Sequence, residues 1–139
     1  MSIHAEELAS LCHRFPIDFL YVFGSRADEI RHWLAGYQVI YSSSDVDIGI
    51  RLIAGINLSV LDKVKIAQEL EELFDVPRVD LVLISEVDPF LAANIIRGER
   101  LFARDDYQAD EYDLYILRRA GDLAPLERER MAMILGEDQ

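Results

Sequence analysis

Cysteine is almost missing. Cys12 is the single one in 139 residues, so no internal disulfide can form, and neither a disulfide scaffold nor a cysteine-rich zinc site is open to the chain. A lone thiol fits a reducing compartment. Positive charge is scarce as well: 14 Lys and Arg stand against 26 Asp and Glu, a formal net charge of −12. Such a surface repels phosphate backbones, which argues against a long nucleic acid as a direct partner. No apolar run approaches the ~18 residues that span a bilayer, and the first residues lack the basic and apolar regions of a secretory signal. The expectation is a soluble cytoplasmic protein without membrane contact.

What the chain does contain is ordinary for a globular protein, with 51% hydrophobic and 29% charged residues. Disordered, coiled-coil and collagen-like classes fit poorly. Its length predicts one domain over residues 1–139, ending in C-terminal helices from about residue 106.

Periodicity supplies the elements. Residues 4–15 carry Leu8, Leu11 and Cys12 at helical spacing, and Pro16 ends the run. Residues 17–23 form an apolar, aromatic-rich stretch stopped by Gly24-Ser25, which predicts a buried strand entering a tight turn. A short helix is predicted over 26–34, and the mixed pattern from Tyr37 to Ser44 is left unassigned. Strict alternation over 45–52 predicts a second strand, with Val46, Ile48 and Ile50 on one face and Asp45, Asp47 and Gly49 on the other. Ser59 followed by Asp62 resembles a helix cap, and Ile66, Leu70 and Phe74 recur at helical spacing before Pro77. A third strand over 78–84 contains Asp80; a helix over 89–97 and a short strand through Leu101 and Phe102 follow. Two further helices are predicted over 106–120 and 126–135, with a turn at Gly121 to Pro125 between them. Strands alternating with helices imply an α/β or α+β sheet covered by helices.

Three carboxylates, Asp45, Asp47 and Asp80, stand on strands where an apolar residue would be cheaper, so a cation is expected to compensate them. Asp-x-Asp projects both side chains to one face, suited to hard divalent cations such as Mg²⁺ or Mn²⁺. Gly24-Ser25, between a strand and a helix, is a place where backbone N–H groups and a hydroxyl can hold phosphate oxygens. His4, His13 and His32 lack mutual metal-ligand spacing, and Cys12 is expected in the core.

Taken together, "VFGSRA", "SSSDVDIGI" and "RVDLVLI" resemble the active site of the polymerase-β-type nucleotidyltransferase superfamily. Within it, size and C-terminal pattern are similar to the minimal nucleotidyltransferases, the MntA-like antitoxins paired with HEPN-domain ribonuclease toxins. The resemblance runs from about Leu8 to Phe102. It implies a nucleotidyltransferase fold with a small mixed β-sheet covered by helices. It also implies that Gly24 and Ser25 grip the β- and γ-phosphates of ATP, and that Arg26, matching the basic residue that commonly follows, belongs with them to the nucleotide-binding set. Asp45, Asp47 and Asp80 would hold Mg²⁺ or Mn²⁺, with Asp80 also orienting or deprotonating the acceptor hydroxyl.

The implied activity is transfer of AMP from ATP to a hydroxyl, a tyrosine by the resemblance, of a cognate HEPN-type toxin bound in a hetero-oligomer. The strongly acidic chain suits a basic RNA-binding partner. The alternatives are a non-catalytic antitoxin that occludes its toxin, or a small-molecule adenylyltransferase. One departure is plain: nineteen residues separate Ser25 from Asp45, where the family usually has roughly ten. This extra segment, with Arg31, His32, Trp33, Tyr37 and Tyr41, lengthens a helix and loops over the site, packs against a partner, or is a tolerated insertion without a role.

Overall fold

A computed structural model describes residues 2–38 and 44–136. Helix α1, Ile3–Arg14, starts where the Ser2 hydroxyl accepts from the Ala5 N–H, and it buries Leu8, Leu11 and Cys12 along one side. Strand β1 is Ile17–Phe23 and helix α2 is Ala27–Leu34. Strand β2, Val46–Leu52, leads to α3, Val60–Phe74, which is capped by the Ser59 hydroxyl accepting from the Asp62 N–H. Strand β3, Val79–Leu83, runs into a single 3-10 turn over Ile84–Glu86. Helix α4, Pro89–Ile96, strand β4, Glu99–Ala103, and helix α5, Asp106–Leu135, complete the described chain.

The four strands form one sheet in the order β3-β2-β1-β4. Strand β1 runs antiparallel to both neighbours and β2 runs parallel to β3, so the sheet is mixed. Alternation along each strand then divides the apolar side chains between two layers. Leu20, Val22, Ile48 and Ile50 pack with Leu11, Ile66, Leu70 and Phe74 on one face. Phe19 and Tyr21 pack with Ile95 of α4 and Ile116 of α5 on the other. Each such side chain contributes about 1.5 to 3 kcal/mol on burial. Gly49 adjusts the second layer: a Cβ there would strike the Ile95 side chain, so glycine lets α4 settle directly on β2, two residues from Asp47.

A polar clasp fixes α5 to the same face. The buried Tyr21 hydroxyl donates to Asp113, and Arg100 of β4 donates to Asp113 at 3.3 Å and pairs with Asp110 at 2.9 Å. Burial, and then the bond to Asp113, push the Tyr21 phenol well above its usual range.

The C-terminus departs from expectation. The predicted break at 121–125 is absent, and α5 continues as one 30-residue helix with Pro125 inside it. Proline removes one backbone hydrogen bond and presses its ring on the carbonyl four residues earlier, which here belongs to Gly121. Gly121 itself is unencumbered, with nothing within 4 Å of where a side chain would begin. The helix absorbs the proline rather than ending.

Candidate active site

At one end of the sheet, Phe23 of β1 is paired with Asp47 of β2, and Asp47 with Asp80 of β3. In-register neighbours share a face about 4.8 Å apart. The two carboxylates therefore stand side by side on the face that carries α4. Asp45 lies one residue before β2, where its carboxylate meets the Arg78 guanidinium at 3.6 Å. The Arg78 carbonyl accepts from the Val46 N–H at 3.1 Å, which aligns the starts of β2 and β3 and with them the aspartates.

The Asp47 carboxyl is pushed above its ordinary range, first by burial, then by the Asp80 charge and then by the Asp45 charge. The three aspartates thus share one electrostatic neighbourhood that a cation would relieve. Among the described residues no three ligating side chains are gathered around one point, so the aspartates form an open row rather than a closed cage. An oxygen-only donor set with mutual repulsion fits Mg²⁺ or Mn²⁺.

Gly24 closes the other side. Its φ of +80° suits glycine, and a Cβ there would collide with the Asp47 carboxylate. The turn backbone accordingly crosses directly beside Asp47. Ser25 is exposed at its apex, and α2 then begins without a side-chain cap and with Asp28 and Glu29 in its first turn.

Arg26 takes a different direction from its neighbours. It is only 3% exposed, with Nε and Nη2 on the Glu29 carboxylate at 3.2 and 2.9 Å and Nη1 on the Ser44 carbonyl at 2.9 Å. The guanidinium thereby ties α2 to the residue preceding Asp45, a positioning contact inside the turn.

The extra segment is partly resolved into core. Arg31, His32 and Trp33 lengthen α2, and Trp33 is buried, stacked on His4 and edge-on to Phe74 at 4.9 Å. Tyr37 is exposed near His32, and Tyr41 lies outside the described residues. Sequence reading missed the opposite flank of Gly24: a cleft of about 380 Å³ bounded by Ala27, Asn94, Arg97 and Glu99. No local signal marks it, because it arises from the long-range pairing of Val22 with Glu99.

The chain matches the family model for polymerase beta nucleotidyltransferases over residues 6–107. No curated protein sequence matches it significantly. Among solved structures it is similar to the crystal structure of the MntA–HepT toxin–antitoxin, with 17% identity, all of both chains covered and a TM-score of 0.65. A toxin–antitoxin structure with AMP-PNP shares 21% identity over 97% of this chain and 98% of that one, with a TM-score of 0.66. A chain from the tri-AMPylated HEPN toxin of Shewanella oneidensis in complex with MNT antitoxin shares 17% identity, 99% and 98% coverage and a TM-score of 0.64. At these identities the structures establish the fold, while the family model covers the glycine turn and all three aspartates. The chain belongs to the polymerase beta nucleotidyltransferase family and is a nucleotidyltransferase.

Proposed function

We propose that the protein transfers AMP from ATP to a hydroxyl, that of a tyrosine, on a cognate HEPN-type toxin, and so acts as its antitoxin in the cytoplasm. The observation that carries this reading is the in-register pairing of Asp47 with Asp80 beside the Gly24 turn. Asp45, Asp47 and Asp80 would hold Mg²⁺ or Mn²⁺, which when bound supplies positive charge against the phosphate oxygens. Gly24, Ser25 and the uncapped start of α2 receive the β- and γ-phosphates. Arg26 keeps that turn in place through Glu29 and Ser44. Asp80, exposed at the edge of the row, accepts the proton of the attacking hydroxyl. A new bond forms from that oxygen to the α-phosphorus as the bond to pyrophosphate breaks.

Similarity and charge together favour a toxin protein as the acceptor. Similar folds occur in toxin–antitoxin complexes, one with AMP-PNP and one with a tri-AMPylated HEPN toxin. A net charge of −12 suits a basic ribonuclease surface.

Incubation with ATP, Mg²⁺ and the protein encoded beside this one should add whole AMP units to that protein by intact mass. Asp80→Asn should abolish the addition while retaining much of the nucleotide binding. A tight, inactive complex without any added mass would replace this reading with inhibition by occlusion, an alternative kept in view by the long spacing between Ser25 and Asp45.

A further inference from the structure

We propose that the cleft on the β4 side of Gly24 seats the polyphosphate of the nucleotide, and that Arg97 is the cation that binds it. The proposal rests on the nucleotidyltransferase reading and assigns it a residue outside the glycine turn and the three aspartates.

Gly24 has two flanks, because β1 lies between β2 and β4. The β2 flank holds Asp47. The other is the cleft of about 380 Å³ bounded by Ala27, Asp28, Asn94, Arg97 and Glu99. Arg31 alone serves both carboxylates of that cleft, reaching Asp28 at 3.5 Å and Glu99 at 3.7 Å. Arg97 has no carboxylate within ion-pair distance among the described residues, in a chain where acidic residues outnumber basic ones 26 to 14. A cation left without a carboxylate in so acidic a protein, at the mouth of a cleft beside the nucleotide turn, is matched to an anionic ligand.

The backbone holds Arg97 there. Its N–H donates to the Ala93 carbonyl at 3.0 Å. Gly98 next to it sits so close to β1 that a Cβ would run into the Val22 carbonyl. The Asp47 carboxylate on β2 and Arg97 beside β4 therefore flank the turn from opposite sides, two strand spacings or roughly 10 Å apart. A polyphosphate crossing Gly24 would meet the metal-binding side at one end and the guanidinium at the other. The competing role for Arg97 is to complement the C-terminal dipole of α4.

Inorganic tripolyphosphate and ATP, each with Mg²⁺, are titrated calorimetrically into the full chain and into Arg97→Ala and Arg97→Lys. Arg97→Ala should weaken both ligands by about tenfold or more, Arg97→Lys should recover part of the loss, and the ligand-free thermal midpoint should stay within about 1 °C. Unchanged affinity in Arg97→Ala overturns the proposal, as does a lowered midpoint with affinity intact, which is the signature of the dipole role. A parent protein that ignores tripolyphosphate overturns it as well. Arg97-dependent binding without AMP transfer to the toxin would instead remove the toxin-modifying reading and leave this assignment standing.

Discussion

Asp47 and Asp80 face each other in register across the parallel strands β2 and β3, and this adjacency, added to the burial of Asp47, places a charge where the folded chain resists it. Because the folded pKa of Asp47 lies above its usual 3.8, the repulsion is absent at low pH and sets in as pH rises through the folded pKa. Asp47→Asn should therefore raise the metal-free thermal midpoint at pH 7 by about 1 to 3 °C while eliminating transfer. The gain should shrink as pH falls toward 3.8. A neutral-pH midpoint below that of the parent would contradict this.

Gly24→Ala tests the close approach of the turn. A left-handed alanine costs about 1 to 2 kcal/mol, and the added methyl displaces the Asp47 carboxylate. Urea unfolding should register the first effect, and loss of Mg²⁺-dependent stabilisation the second. Full retention of the Mg²⁺ response would show that the aspartate site tolerates a wider turn.

Tyr21→Phe removes the hydroxyl that binds Asp113 and leaves Arg100 in place. The expected cost is about 1 kcal/mol, with ATP affinity unchanged, since this clasp attaches α5 and does not face the glycine turn. A drop in ATP affinity at constant stability would show that the α5 attachment reaches the site.

The Cys12 thiol is buried against the core, and burial pushes its pKa up to about 12. It should resist alkylation at pH 8 in the folded protein and react at a rate that follows denaturant-induced opening. Rapid labelling without denaturant would mean that α1 detaches on its own.

The aspartates were legible because strand alternation is local: Asp45, Asp47 and Asp80 declare themselves as polar residues within apolar runs. Strand β1 was legible for the same reason, down to its last residue, Phe23. What the sequence concealed depends on partners distant along the chain. The Arg26 guanidinium turns inward because Ser44 and Glu29 offer a carbonyl and a carboxylate, and no spacing rule announces that pair. Arg97 comes to line the same cleft as Gly24 through the pairing of β4 with β1. The error at 121–125 has another origin: glycine and proline are ordinary helix breakers by local preference, but here both lie within one continuous helix.

That uninterrupted α5 makes the molecule mechanically uneven. Ala120 is the last buried residue of the helix, Gly121 and Ala124 still line a cleft with Phe90 and Ala93 of α4, and the residues beyond project at a rise of about 1.5 Å each. Such a projecting stretch is marginal as a helix by itself in water. Its amide protons should exchange through fraying of its exposed last turns, while those near Ala109 and Ile116 wait for the sheet to open. The chain would then show two exchange regimes along one continuous helix, with the crossover close to Gly121.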